Sequence, residues 1–217
     1  MKKGLFPILI AIMAAIYIFI IPQEPVAVKI MFKLIPMILI IVYAFRQLPA
    51  KPPLSMRLIL IGLCFCMLGD AFIAVSFIAG LGAFLVGHVF YVTGFTKQPR
   101  MKKWSISAAV PIALYSFIIG WQLISSLLAG GNDPLVIPVI AYMLVISLMA
   151  LSAIMTGNKW AIAGSLLFVL SDTILSWNMF VSNIPISDVL IMTTYYSAQF
   201  LIAGSLSSFQ QIKERIV

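Results

Sequence analysis

The sequence predicts an all-α polytopic membrane protein of eight transmembrane helices, on three observations. Hydrophobic residues fill 63% of the 217 positions and charged residues only 9%, a balance that excludes a soluble domain. The apolar residues fall in successive runs of roughly 18 or more, the length that crosses a bilayer as a helix. The runs are continuous rather than alternating, which argues against a closed barrel, the other fold that satisfies its backbone in lipid.

Breakers divide the runs in order. The first span, 4–21, follows Met1-Lys2-Lys3 and closes at Pro22 and Pro25; with no small-residue cleavage site behind it, it reads as a retained helix and not a signal peptide. The second, 26–45, lies between those prolines and Pro49. The third, 57–79, begins beyond Pro52-Pro53 and closes at Gly80 and Gly82, where it makes a tight hairpin with a short fourth, 81–95, that ends before Pro99. The fifth, 104–127, ends at Gly130-Gly131, and the sixth, 134–156, starts at Pro134 and stops at Gly157. The seventh and eighth, 159–181 and 187–209, flank Pro185. All eight form one transmembrane domain, 1–217.

Charge orients this bundle. Lys2, Lys3, Arg46, Lys51, Arg57, Lys97, Arg100, Lys102, Lys103, Lys159, Lys213 and Arg215 all fall on one side. The opposite connections carry Glu24, Asp133 and Asp188, and no Lys or Arg outside the second helix. The positive-inside rule places both termini in the cytoplasm and the chain in the cell membrane. The net charge of +8 therefore belongs to loops at a bilayer, with no nucleic-acid partner implied.

Two aspartates stand inside apolar runs that look alike. Gly62 to Val75 reads GLCFCMLGDAFIAV and Gly164 to Trp177 reads GSLLFVLSDTILSW, each with a glycine eight positions before its aspartate. A carboxyl in hydrocarbon is costly and is retained for function. Because four spans restore the original direction, the likeness of the third and seventh implies a parallel 4+4 internal repeat. Cys64 and Cys66, two apart on a helix, face different ways and read as packing residues. One histidine and no CxxC leave no metal site, and neither GxSxG nor HExxH is present.

Depth gathers the polar residues into one layer. Asp70 and Asp172 each lie thirteen residues past a basic residue, Arg57 and Lys159. At ~1.5 Å per residue they are roughly 20 Å from the cytoplasmic side, leaving about 10 Å of a ~30 Å core beyond them. Lys33, His88, Tyr195 and Tyr196 count to the same depth of about 10 Å from the outer face, with Tyr91 and Gln199 a turn beyond. Each has a plainer reading. Lys29 snorkels, Lys33 neutralises a carboxylate, His88 is a satisfied core histidine, the tyrosines anchor an interface, and Tyr91 and Gln199 bridge helices. Asp133 and Asp188 read as solvated loop or cap residues. For Asp70 and Asp172, in contrast, a functional role is the favoured reading. Two carboxyls in one low-dielectric layer, one beside a lysine, divide into base and acid, the pairing that hydrolyses acid-labile C–O bonds.

Five segments in order, Lys33-Leu-Ile-Pro36, Leu68-Gly-Asp-Ala71, Gly87-His88-Val-Phe-Tyr91, Leu170-Ser-Asp-Thr173 and Thr194-Tyr-Tyr-Ser-Ala-Gln199, carry a resemblance to the YhhN-like membrane proteins, which include lysoplasmalogenases. The resemblance covers nearly the whole chain. It implies an eight-helix enzyme that hydrolyses the vinyl ether bond of a single-chain lysophospholipid, releasing a fatty aldehyde and a glycerophospho-ethanolamine or -choline. It implies catalytic roles for Asp70 and Asp172, and Lys33, His88, Tyr195 and Gln199 match polar positions of the family; with Tyr91 and Tyr196 of the same layer they make up the candidate substrate-binding or supporting residues. Vinyl ether hydrolysis needs an acid and a carboxylate and calls for no cofactor; Asp172 is assigned the acid and Asp70, nearer Lys33, the base. The rival readings are a proton-coupled transporter or lipid flippase built on the paired aspartates, and a helical scaffold in which they only join helices.

Overall fold

Two prolines end the first helix early. In the computed structural model, which describes residues 4–98 and 105–216, with side chains for 4–98 and 107–209, α1 covers Leu5–Phe19. It stops short of the expected 21 because Ile21 precedes Pro22, whose ring disfavours helical backbone in the residue before it. The second helix, α2, runs Val26–Phe45 as read from the sequence.

The hairpin of α3 (Leu54–Ile73) and α4 (Phe77–Thr96) turns earlier than expected. The amides of Val75 and Ser76 both donate to the Phe72 carbonyl, at 2.9 and 2.8 Å. The Ser76 hydroxyl then accepts from the Ala79 amide at 3.4 Å, capping α4. A serine cap is therefore the break; Gly80, read as the breaker, sits inside α4 against the end of α3. The fourth helix is accordingly not short, since it has 20 residues, as α3 does.

The second half follows the reading more closely. The fifth helix, α5, is Ser105–Ala129, and a 3-10 turn at Asp133–Leu135 leads into α6, Val136–Thr156. Gly157, at φ 67°, ends α6 in the left-handed conformation that glycine adopts without strain. Asn158 caps α7 (Lys159–Phe180) by accepting from the Trp160 and Ala161 amides at 3.0 and 3.2 Å. The last helix, α8, covers Ser187–Ile216, seven residues past the expected end.

The described residues thus form an all-α multi-pass membrane protein of eight helices. Seven are long and apolar enough to cross a bilayer, and α1, at 15 residues, is a shorter apolar helix. Among the described basic residues, Arg46, Lys51, Arg57, Lys97 and Lys159 sit at the α2–α3, α4–α5 and α6–α7 ends, opposite Glu24, Asp133 and Asp188. Lys2, Lys3, Arg100, Lys102 and Lys103 lie outside the described residues, as do the side chains of Lys213 and Arg215.

Packing centres on α8, which touches α1, α2, α3 and α7, while α6 joins α4, α5 and α7. Half of the span of α8 is buried, against 17% for α5, whose Phe117 and Trp121 face outward. The two aspartate-bearing helices seat on their successors through matching glycines. A Cβ on Gly62 would lie 3.0 Å from the Gly87 carbonyl oxygen and 2.6 Å from the Tyr91 ring. One on Gly164 would lie 2.9 Å from the Ala198 carbonyl oxygen and 2.8 Å from Ile202. Such small residues let helix backbones approach where no hydrophobic force drives them together. Gly164→Val should therefore lower stability by about 1–3 kcal/mol, read as a lower melting temperature in detergent, whereas Gly82→Ala, with nothing within 4 Å of the added carbon, should not.

Candidate active site

A cation, a carboxylate and a phenol meet in the interior of the helix bundle. Lys33 of α2 places Nζ 3.1 Å from Oδ1 of Asp70 on α3. Tyr195 of α8 donates its hydroxyl to the other oxygen, Oδ2, at 2.5 Å. Asp70 is only 1% exposed, and a charge so far from water is tolerable only with partners on both oxygens. Next to it Tyr196 donates to the Lys33 main-chain carbonyl at 2.8 Å, tying α8 to α2 at the turn before the helical Pro36.

Asp172 of α7 has different company. Tyr142 of α6 donates its hydroxyl to Asp172 Oδ2, and no described cation pairs with this carboxyl. Asp172 stays partly accessible, and both aspartates line the same cavity, of about 490 Å³. Lys33, Tyr195, Tyr17 and Phe84 share its wall, and its outer end is formed by Gln23, Glu24, Lys29 and Asp188. A second, smaller cavity of about 70 Å³ opens at Asp172 between α4, α5, α6 and α7; its lining is apolar apart from a few hydroxyls, with Phe77, Met143 and Ile146 prominent. Asp172 therefore stands where a polar chamber meets an apolar crevice.

An aromatic cluster backs the chamber. Phe84, Phe168 and Tyr195 pack edge to face, with centroids 5.4 to 6.3 Å apart, which holds the phenol of Tyr195 in position. His88 lies behind them, fully buried, with Phe168 at 4.6 Å, Tyr142 at 5.3 Å and Tyr91 at 6.2 Å between ring centroids.

The expected layer is assembled in part. Lys33, Asp70, Asp172 and Tyr195 share the cavity, and Tyr196 braces Lys33. Tyr91 donates to Gln199 Oε1 at 2.7 Å, a buried bridge between α4 and α8 that does not line the cavity. His88 is a fully buried core histidine, and among the described residues neither of its ring nitrogens makes a hydrogen bond of standard geometry, nor does Nε2 of Gln199. Tyr195 and Tyr196 are buried rather than interfacial anchors. Lys29 and Asp188, read as a snorkelling lysine and a solvated cap, lie at the cavity mouth. Cys64 and Cys66 are free.

Two residues escaped the sequence reading, Tyr142 and Tyr17. Tyr142 lies eight residues into the expected sixth span, about 12 Å deep at ~1.5 Å per residue, so the depth count that gathered the other residues also reaches it. Tyr17 sits edge-on to Tyr196 at 6.0 Å, and nothing in its local sequence sets it apart.

Comparison with known proteins places this arrangement. The YhhN family model matches residues 28–206. The lysoplasmalogenase TMEM86B of Sus scrofa is 33% identical over 198 residues, 88% of this chain and 80% of that protein. The human lysoplasmalogenase TMEM86A is 33% identical over 159 residues, 68% of this chain and 64% of its own length. A lysoplasmalogenase of Mycobacterium tuberculosis is 26% identical over 137 residues, 59% of this chain and 50% of that protein. No solved structure matches the chain.

Removing one member of a buried ion pair strands the other. Lys33→Met should destabilise the protein by about 3–5 kcal/mol. The double variant Lys33→Met/Asp70→Asn should recover much of that loss, since no uncompensated charge remains. Thermal unfolding of the single and double variants in detergent measures both.

Proposed function

This chain belongs to the YhhN family, and on that premise we propose that it is a membrane-embedded hydrolase that cleaves the vinyl ether bond of lysoplasmalogens or a closely related single-chain lipid. The observation that carries the proposal is the pair of carboxyls on one cavity with unlike partners, a lysine and a phenol at Asp70 and a phenol alone at Asp172. Asp172 acts as the acid and Asp70 as the base. Asp172 gives its proton to the β-carbon of the vinyl ether, and the electron pair of the double bond forms that C–H bond. The resulting oxocarbenium ion faces the Asp70 carboxylate, which stabilises the positive charge. Water adds to the cationic carbon and loses a proton to Asp70. As the hemiacetal breaks its bond to the glycerol oxygen, Asp70 returns its proton to that oxygen and the hemiacetal hydroxyl gives its proton to Asp172, leaving a fatty aldehyde, a glycerophospho-head group and both carboxyls as they began.

The two cavities suit such a lipid. The crevice beside Phe77, Met143 and Ile146 takes the start of the hydrocarbon chain, and the polar chamber takes glycerol and head group. In this reading all eight helices cross the cell membrane as one domain. Both termini are cytoplasmic and the chamber opens to the outer leaflet. The matching seats of Gly62 and Gly164 on their following helices favour a parallel 4+4 repeat, with Lys33 and Tyr142 as the difference between its halves.

Purified protein given 1-alkenyl lysophosphoethanolamine should release aldehyde, and Asp70→Asn and Asp172→Asn should each lower kcat by about 100-fold or more, the scale of acid–base catalysis. Unchanged melting temperatures would separate that loss from misfolding. Full turnover by either variant contradicts the two-carboxyl mechanism. Movement of a solute under a pH gradient, without aldehyde, supports a transporter instead.

A further inference from the structure

Three charged side chains at the cavity mouth take no part in the chemistry above. Lys29 lies one turn outward from Lys33 on α2 and donates through Nζ to Gln23 Oε1. Gln23 in turn donates through Nε2 to Asp188 Oδ2 at 3.5 Å, across from α8. Glu24, also on the wall, accepts from the Val26 amide at 3.1 Å. The neutral Gln23 amide therefore spaces a cation from an anion at the entrance of one chamber.

Burial grades along the same line. Asp70 is buried, Lys33 and Lys29 are half-buried, and Gln23, Glu24 and Asp188 are exposed. From the reacting centre outward, the side chains met are a lysine, an amide bridge and then two carboxylates. A zwitterionic lysolipid presents the complementary order beyond its reactive bond: glycerol, phosphate, then a terminal ammonium.

Resting on the lysolipid reading, we propose that this mouth is a head-group subsite, with Lys29 for the phosphate and Asp188 with Glu24 for the terminal ammonium. The subsite favours phosphoethanolamine and phosphocholine over head groups that end in a hydroxyl or a bare phosphate. Those would leave two carboxylates facing no positive charge and, in a bare phosphate, facing a like one. Electrostatic complementarity of this kind acts chiefly on selectivity.

The test compares two substrates, 1-alkenyl lysophosphoethanolamine and 1-alkenyl lysophosphoglycerol, on the full-length protein. The wild type should favour the first in kcat/KM. Asp188→Lys should lower that preference by about 2- to 5-fold through KM, the scale of an exposed ion pair, and Glu24→Gln should shift it the same way by less. Lys29→Gln should raise KM for both substrates alike, since both carry the phosphate. Because the ratio is measured within one protein sample, loss of folded protein does not move it. An unchanged ratio in Asp188→Lys and Glu24→Gln, with the wild type active, overturns the subsite and leaves the hydrolase reading intact. No aldehyde from the wild type with either substrate overturns the hydrolase reading, and the subsite with it.

Discussion

The Lys33–Asp70 ion pair is the constraint on which the rest of this structure depends. A carboxylate withdrawn from water in the interior of a helix bundle demands a cation and hydrogen bonds, and here these arrive from two other helices. Lys33 brings α2 to α3, and Tyr195 brings α8 to both. Tyr196, the next residue, closes the triangle on the Lys33 carbonyl. That requirement accounts for the central place of α8, the most buried of the long helices. It also leaves room beside the pair: side chains that converge on a charge cannot fill space as close-packed aliphatics do, and the chamber lies against them.

The two aspartates begin as sequence equivalents and end in unlike settings. Each follows a glycine by eight positions, and each glycine seats its helix on the next one. Asp70 then meets an ammonium and a phenol, Asp172 a phenol alone. Distinct partners are what turn two copies of one group into two chemical roles, and in the proposed reaction that difference assigns base and acid. The aromatic cluster of Phe84, Phe168 and Tyr195 keeps the arrangement rigid, and the apolar crevice beyond Asp172 gives the site a direction, from hydrocarbon to head group.

Much of this was legible because depth in a bilayer is a one-dimensional coordinate. Counting residues from the ends of spans brought Lys33, Asp70, Asp172 and Tyr195 to one level, and their shared cavity agrees. The same count did not say which way a side chain faces, so it grouped His88, Tyr91 and Gln199 with them although these lie behind the cavity wall. Tyr142 was passed over because one tyrosine in an apolar helix looks like any other until Asp172 is opposite it. The turn at 74–76 differs from the reading for a local reason: a serine cap outweighs Gly80 and Gly82, of which Gly80 packs against the end of α3 while Gly82 faces open space. Lys29 and Asp188 read from the sequence as a snorkelling lysine and a solvated cap, and the link between them through Gln23 is a contact that sequence spacing does not show.

The most direct test of the account is the fate of the proton. Turnover of a 1-alkenyl lysolipid in D2O, with the aldehyde reduced as it forms and its C2 centre analysed by mass spectrometry and chiral separation, reads where and from which side that proton is delivered. Delivery by a fixed carboxyl predicts a single deuterium at C2 in one configuration. A mixture of both configurations, or an aldehyde without deuterium at C2, would contradict proton transfer from Asp172 as the step that opens the vinyl ether.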